Sequence, residues 1–246
     1  MHLIVVEDYD SLGRKAAEKV IETINKYKGD VNICLPTGTT PLKMYDYLTL
    51  YISEEIVDIA NVNWFTLDEY IGLPENHALK CIEQLKRNFY SRVGVPQERI
   101  FTYNVTNQNH DEEIINYEQI IRNLGGLHLC VVGIGWNGHI GFNEPGSTEL
   151  DSARIVKFHP MTIEQSKKYF RNESEIPKRG ITLGLKNILE CKEILLIASG
   201  LGKADILKRS LEGPISSEVP ASILRKHSSY CVIADREAAS SLTIKV

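Results

Sequence analysis

Short runs of β-branched and apolar residues alternate with helical patterns along the chain, and this alternation most constrains the fold. Several runs, such as 31–35 and 127–134, are continuously apolar, as expected for strands covered on both faces. The strand candidates are 3–6, 31–35, 63–67, 99–104, 127–134, 154–158, 193–199 and 230–235. The helix candidates are 11–27, 41–52, 78–93, 111–124 and 203–211. We therefore predict an α/β, Rossmann-like fold of three layers, with an open, mainly parallel sheet and helices on both faces.

The size and composition of the chain narrow the classes of protein to be considered. The 246 residues form one pattern without an internal repeat or a linker, so we predict a single domain over 1–246. The formal net charge is -4 and no block of like charges occurs, so we expect no nucleic-acid partner. No apolar run is long enough to span a bilayer and the first residues do not resemble a signal peptide, which predicts a cytoplasmic protein without a membrane partner. The five cysteines include no C-x-x-C pair, and most lie in or beside apolar runs, which is typical of buried thiols in a reducing compartment.

In open parallel sheets, ligands bind outside the carboxyl ends of the strands, and three strand candidates end in polar clusters. The first cluster is LPTGTTP, which contains Thr37, Gly38, Thr39 and Thr40. Thr40 before a proline is suited to begin a helix, and the free amides and hydroxyls of a helix N-terminus can bind phosphate. An ordinary capped loop is the alternative. Because no lysine follows in the G-K-[ST] order, the cluster is not a nucleotide-binding P-loop.

The second cluster begins with Asp68 and Glu69, directly after the candidate strand 63–67. An acid at the carboxyl end of a buried strand can have a raised pKa and act as a general base. The alternative is a solvated loop acid. We favour that alternative for Glu69 and leave both interpretations open for Asp68.

The third cluster is GIGWNGHIGFNEPG, residues 133–146, which begins with the G-x-G-x-x-G pattern of dinucleotide-binding folds. The further glycines and the proline make a helix improbable there, and no acid occurs in the following 152–156 segment, so the dinucleotide interpretation fails. What remains is a glycine-rich loop that presents Asn137, His139 and Glu144 above a strand end. An imidazole suits proton transfer near neutral pH, and a nearby carboxylate can set its tautomer, although a purely structural histidine is the alternative. The spacing of histidines and cysteines does not support a metal site.

These three motifs, in this order, resemble the glucosamine-6-phosphate deaminase (isomerase) family. The resemblance extends to PKRGITLGLKNIL, SGLGKADIL and ISSEVPASIL, and so covers nearly the whole chain. It implies that a hexosamine 6-phosphate ring is opened, that a proton moves from C2 to C1, and that ammonia leaves to give a ketose 6-phosphate. By the resemblance, Asp68 takes the C2 proton, His139 opens the ring with support from Glu144, and Lys203 and the threonine loop bind the phosphate. No metal or redox cofactor is implied, and the partner is a small sugar phosphate.

The chain departs from the family pattern at three places. Asn137 stands where many members have aspartate, so it could orient His139 but would raise its basicity less. Lys168 stands where the family often has a phosphate-contacting arginine, and the adjacent Lys167 is an alternative for that contact. The segment 77–89 differs from the usual glucosamine-type sequence and is more similar to the galactosamine-6-phosphate isomerase branch.

Three hypotheses about function follow from the sequence. The leading one is a hexosamine 6-phosphate deaminase/isomerase, with galactosamine 6-phosphate slightly favoured over glucosamine 6-phosphate. The second is a 6-phosphogluconolactonase, against which the FNEP segment speaks. The third is a non-catalytic sugar-phosphate sensor, which would be expected to carry an additional DNA-binding segment. Whether the protein forms a homo-oligomer stays open.

Overall fold

The computed structural model describes residues 1–106, 109–170 and 172–244, and its regular elements alternate as the sequence predicts. The strands are β1 (His2–Val6), β2 (Val31–Leu35), β3 (Val62–Thr66), β4 (Asp68–Ile71), β5 (Ile100–Phe101), β6 (Leu129–Gly133), β7 (Arg154–Lys157), β8 (Arg179–Thr182), β9 (Glu193–Ala198) and β10 (Tyr230–Asp235). The helices are α1 (Tyr9–Lys26), α2 (Leu42–Ser53), α3 (Cys81–Leu85), α4 (Ser91–Val93), α5 (His110–Asn123), α6 (Pro160–Ser166), α7 (Leu185–Leu189), α8 (Ala204–Glu212), α9 (Pro220–Ile223) and α10 (Arg236–Ala239). A π-helical turn, Lys86–Tyr90, joins α3 to α4.

A parallel sheet forms the centre of the fold. Across the described ranges, seven strands pair in the order β1-β10-β9-β6-β2-β3-β5, and every pairing is parallel. The order reverses direction between β2 and β6, because β3 and β5 follow on one side and β9, β10 and β1 on the other. The predicted α/β fold with a mainly parallel sheet is confirmed. A crevice at the β2–β6 boundary is where such sheets bind ligands.

Successive residues of the central strands face two different apolar layers. In β2, Ile33 and Leu35 belong to a buried cluster that includes Leu12 and Ala16 of α1, whereas Cys34 belongs to the cluster on the opposite face. Side chains along a strand point alternately to its two faces, so a strand covered by helices on both sides must be apolar throughout. The continuously apolar runs of the sequence are explained by this arrangement.

A second, smaller sheet was not predicted. β4, β8 and β7 form an antiparallel sheet in which Asp68 pairs with Thr182 and Arg154 also pairs with Thr182. The prediction that treated 154–158 like the other strands is therefore wrong about its sheet: β7 is only half-buried, as suits a strand outside the helix-covered layers. β4 and β8 themselves were missed because short strands of mixed polarity give a weak periodic signal. This small sheet carries Asp68.

Several predicted boundaries change in ways that matter for the loops. α2 begins at Leu42, with Pro41 as its N-cap and no side-chain capping hydrogen bond, so the predicted cap by Thr40 is not observed. The candidate strand 99–104 shrinks to Ile100–Phe101 at the edge of the large sheet, where it pairs with β3. The five cysteines are buried and free. Among the helices of the described residues, none is long and apolar enough to cross a bilayer.

The two tryptophans give a test of the packing. Trp64 of β3 is fully buried and makes an edge-on contact with Phe89. We expect Trp64→Ala to lower the free energy of unfolding by about 3–5 kcal/mol, because it leaves a large cavity in the core. Trp136, which is 48% exposed, is the matched control, and Trp136→Ala should change that free energy by less than about 1 kcal/mol. Urea titrations followed by circular dichroism measure both, and equal losses would contradict the assigned core.

Candidate active site

A cavity of about 590 Å³ lies at the carboxyl ends of β2, β3, β6 and β9, where the strand order reverses. The cavity brings together every site residue predicted from the sequence except Glu144, which does not line it. The predicted residues that line it are Thr37, Gly38, Thr39, Thr40, Asp68, Asn137, His139, Lys168 and Lys203. Residues from four separate strand ends thus meet in one pocket, as the topology of an open parallel sheet requires.

Asp68 is a buried acid, with 6% of its surface exposed. Burial raises the pKa of its carboxyl group to about 7, with a further contribution from the charge of Glu69, while a hydrogen bond from Cys81 acts in the opposite direction. The Cys81 thiol donates to Asp68 Oδ1 at 3.3 Å. A carboxyl group with a pKa near neutrality can both take and return a proton at physiological pH, which is what a general base requires.

Glu69 is not the solvated loop acid that we favoured from the sequence. Its side chain is fully buried and accepts backbone N–H groups from Tyr70 at 2.8 Å, Cys81 at 2.9 Å and Ile82 at 3.1 Å. Burial raises the pKa of Glu69 above its usual value, although these N–H donors and the charge of Lys80 act in the opposite direction. The prediction failed because a sequence does not show that α3 begins against β4 and covers this carboxylate. Glu69 fixes that helix start to the strand that carries Asp68.

His139, Asn137 and Glu144 form a connected group in the loop after β6. Asn137 Oδ1 accepts the backbone N–H of His139 at 3.1 Å, and Asn137 Nδ2 donates to Glu144 Oε2 at 2.8 Å. The same Glu144 oxygen lies 3.4 Å from His139 Nδ1, which is within ion-pair distance but long for a hydrogen bond. These two hydrogen bonds of the Asn137 amide therefore position the Glu144 carboxylate and the loop backbone.

Asp68 and Glu144 are two acids with opposite electrostatic environments. Burial alone would raise the pKa of Glu144, but the adjacent His139, together with Thr162 and Asn137, outweighs this effect and lowers the pKa to about 2. Glu144 is thus a permanent anion beside the imidazole, and Asp68 is poised to exchange a proton. Environments that move the pKa values of two carboxyl groups apart in this way are typical of acid–base sites.

At two positions of the loop after β6, neighbouring side chains lie so close to the backbone that the residue must be glycine. A Cβ on Gly135 would lie 2.2–2.4 Å from three atoms of the His139 ring. A Cβ on Gly141, whose φ is +55°, would lie 3.1 Å from Asp68 Oδ2 and 3.0 Å from Thr182 Oγ1. The glycines let the backbone pass directly over both candidate catalytic side chains. In agreement with the sequence analysis, the described residues 134–153, between β6 and β7, form no helix after the glycine pattern.

The loop after β2 presents polar groups to the cavity. Its carbonyl groups are held from behind, since Tyr9 Oη donates to Thr39 O at 2.6 Å and Tyr45 Oη donates to Pro36 O. Gly38 has a φ of +93°, which turns the chain tightly. Within the described part of the chain, the backbone N–H groups of Gly38, Thr39 and Thr40 have no protein acceptor. Such amides at the start of a helix are suited to an anion.

Two lysines add positive charge to the cavity lining. Lys203 Nζ donates to Ile134 O at 2.7 Å and lies 4.6 Å from the centre of the Trp136 ring. Burial and the charge of Lys168 lower the pKa of Lys203 to about 8. Lys168 lines the cavity, whereas Lys167 points elsewhere and forms ion pairs with Glu164 and Glu173. The structure thus places Lys168, and not Lys167, at the cavity.

Sequence reasoning missed several residues that line the cavity from the segment after β4. Gln84, Arg87 and Asn88 come from α3 and the π-helical turn, and the segment 77–89 was noted only because it departs from the family pattern. π-helical turns are frequent at functional sites, but a sequence gives no clear signal for them. Over the described ranges, no group of three or more histidine, cysteine, aspartate or glutamate residues could hold a metal ion.

Comparison with known proteins assigns the family. The family model for glucosamine-6-phosphate isomerases/6-phosphogluconolactonase matches residues 7–233. The chain is 38% identical over 244 residues to a glucosamine-6-phosphate deaminase of Halalkalibacterium halodurans, with 99% of each chain covered. It is 37% identical over 240 residues to that of Thermoanaerobacter sp. (strain X514), which covers 98% of this chain and 94% of the relative.

Solved structures agree with this assignment. A monomeric glucosamine-6-phosphate deaminase superimposes with a TM-score of 0.94 at 34% identity, covering 98% of this chain and 100% of the other. A 6-phosphogluconolactonase from Trypanosoma cruzi has a TM-score of 0.80 at 19% identity, which shows the shared fold alone. The fold and the cavity define an enzyme built on a parallel α/β sheet. The chain belongs to the glucosamine-6-phosphate isomerase/6-phosphogluconolactonase family.

The raised pKa of Asp68 predicts a pH-dependent stability difference. The folded state holds this proton more tightly than the unfolded chain, so folding loses stability as the pH rises from about 4 to about 7. We expect Asp68→Asn to be more stable than the parent protein at pH 8.5, by at most about 4 kcal/mol, and to lose that advantage below pH ~4. Urea unfolding at several pH values measures this. The control Glu75→Gln, at an exposed position, should show no such dependence on pH. An Asp68→Asn change in unfolding free energy that is the same at every pH would contradict the raised pKa of Asp68.

Proposed function

We propose that the protein is a hexosamine 6-phosphate deaminase/isomerase that converts its substrate and water to a ketose 6-phosphate and ammonia. The observation that carries the proposal is the buried Asp68 carboxyl group, with a pKa of about 7. It lies in the same cavity as His139 and a positively charged anion-binding site. The names of the relatives support glucosamine 6-phosphate as the substrate. The preference for galactosamine 6-phosphate that the sequence suggested finds no support among them.

The central step is a proton transfer between neighbouring carbons of the open-chain sugar. Asp68 removes the proton from C2, which gives an enol-type intermediate that keeps the C2 amino group. Delivery of the proton to C1 leaves an imine at C2, and water adds to that carbon. The C2–N bond then breaks, so the oxygen of the water becomes the C2 carbonyl oxygen of the ketose and the nitrogen leaves as ammonia. Removing a proton beside a carbonyl-type carbon needs a carboxylate that is close and partly desolvated. Asp68 meets both conditions, because it lines the cavity and is 6% exposed.

Ring opening precedes this step and falls to His139. The imidazole takes the proton of the C1 hydroxyl and returns one to the ring oxygen, which one group near neutral pH can do. Its Nδ1 faces the Glu144 anion, so Nε2 is the nitrogen that exchanges the proton with the sugar. Asn137 supports the reaction indirectly by holding Glu144 and the backbone of His139.

The phosphate group occupies the part of the cavity that the loop after β2 lines. There the amides and hydroxyls of Thr37–Thr40 meet Lys168 and Lys203, and a phosphate dianion would be bound by all of them. We infer that the whole chain works as a single domain in the cytoplasm, where free thiols persist. One solved relative is a monomeric deaminase.

A side-by-side assay tests the proposed function. Purified protein is given glucosamine 6-phosphate, galactosamine 6-phosphate and 6-phosphogluconolactone, and ammonia, ketose product and lactone loss are measured. We expect ammonia release with fructose 6-phosphate as the main product, and a 10²- to 10⁴-fold lower kcat for Asp68→Asn, with Glu75→Gln as the unaffected control. Tagatose 6-phosphate as the main product would indicate the galactosamine branch. Lactone hydrolysis alone, or binding without turnover, would overturn the proposal.

The anion site predicts a separate effect on substrate affinity. Lys203→Met removes a charged donor and should raise KM about 10- to 100-fold, with a smaller change in kcat. Because the pKa of Lys203 is lowered to about 8, KM of the parent enzyme should also rise as the pH increases through that value, where the lysine loses its charge. Lys167→Met is the matched control, since its ion pairs lie outside the cavity. Equal KM values for the two variants would exclude Lys203 from the phosphate site.

A further inference from the structure

We infer that Cys81 is a positioning residue for Asp68 and connects the threonine loop after β2 to the proton-transfer step. The inference rests on the proposed role of Asp68 as the base that acts on the substrate. Cys81 is 1% exposed, is the first residue of α3 and contacts both Thr37 and Asp68, which line the cavity. The resemblance to the family attaches no role to it, because the segment 77–89 departs from the family pattern there.

The thiol makes contacts in two directions. Cys81 Sγ donates to Asp68 Oδ1 at 3.3 Å and accepts the Thr37 hydroxyl at 3.6 Å. A chain of hydrogen bonds therefore runs from the threonine loop, through the sulfur, to the buried carboxyl group. Both sulfur contacts fall within the longer range that the large sulfur atom requires, and the thiol is a weak donor.

The backbone of Cys81 is held as firmly as its side chain. Its N–H group donates to Glu69 Oε1 at 2.9 Å, and the next N–H group, of Ile82, donates to Glu69 Oε2 at 3.1 Å. Glu69 is the direct neighbour of Asp68 in β4. The buried Glu69 carboxylate thus fixes the start of α3 against β4, and this sets the distance between the sulfur and Asp68.

The consequence for Asp68 is that its two oxygens become different. Oδ1 is occupied by the thiol, while Oδ2 lies beside Gly141, which also lines the cavity. Oδ2 is therefore the oxygen left to accept the substrate proton. Burial raises the pKa of the Cys81 thiol well above its usual range, so the thiol keeps its proton and remains a donor wherever Asp68 titrates.

The hydrogen bond also favours the ionised form of Asp68 against the effect of burial. A donor aimed at a carboxylate lowers its pKa, and here it opposes desolvation and the charge of Glu69. His139 and Lys203 line the same cavity. Several titratable groups interact electrostatically with Asp68. They are Glu69 and Tyr70 from β4, Cys81 from α3, Cys34 from β2, Cys130 from β6 and Tyr103 from the segment after β5. Of these groups, Cys81 donates the hydrogen bond that Asp68 accepts.

The experiment compares the pH dependence of kcat at saturating hexosamine 6-phosphate for the parent enzyme, Cys81→Ala and Cys81→Ser. Loss of the donor in Cys81→Ala should move the acid limb upward by about one pH unit. The result is roughly a tenfold lower kcat at pH 6 and less than a twofold change at pH 9.5. Serine restores a hydroxyl donor on a shorter bond, so Cys81→Ser should recover part of the shift.

The matched control is Cys231→Ala, which removes another buried thiol at the opposite end of the sheet and should leave the acid limb in place. Thermal unfolding of each variant reports whether it is folded under the assay conditions. A loss of kcat in Cys81→Ala that is equal at every pH, or that serine does not reduce, would overturn the inference and leave Cys81 a packing residue. A parent enzyme that releases no ammonia from either sugar would instead overturn the proposed function.

Discussion

The buried carboxylate of Glu69 is the constraint on which the site depends. It accepts three backbone N–H groups, from its own strand β4 and from the start of α3, in a region from which water is excluded. A buried charge is tolerated only when it is paired or hydrogen-bonded. The Cys81 and Ile82 donors lie in the first turn of α3, where backbone N–H groups have no partner within the helix. This one interaction joins the small sheet to the helix beside it. The position of Asp68 over the cavity follows from that junction.

The two acids of the site have different pKa values because their surroundings differ. Asp68 is surrounded by apolar packing and one weak donor, so its pKa rises to about 7, whereas Glu144 faces His139 and the amide of Asn137, so its pKa falls to about 2. The neutral amide is compatible with this arrangement because Glu144 already supplies the negative charge next to the imidazole. The position at which many family members have an aspartate is used here to orient that charge.

The fold and most of the site could be predicted from the sequence because their signals are local. Continuous apolar runs predicted the parallel strands, and threonines, glycines and a histidine directly after strand ends predicted the cavity wall. Glu69, Cys81 and the π-helical turn with Arg87 could not be predicted, because their roles depend on which segment packs against β4. The small sheet was missed for a similar reason: β4 and β8 have four residues each and pair across more than a hundred positions of the chain.

The sequence by itself determined the helix-covered parallel sheet, the polar clusters that follow its central strands and the family. Residue type and spacing are enough for these, since a strand covered on both faces must be apolar and a tight turn over a ligand must contain glycine. The tertiary structure decided which polar groups are buried and which of them face one another. Burial and partners set the pKa of a carboxyl group, so the difference between Asp68 as a candidate base, Glu69 as a structural anion and Glu144 as a partner of His139 exists only in the folded chain.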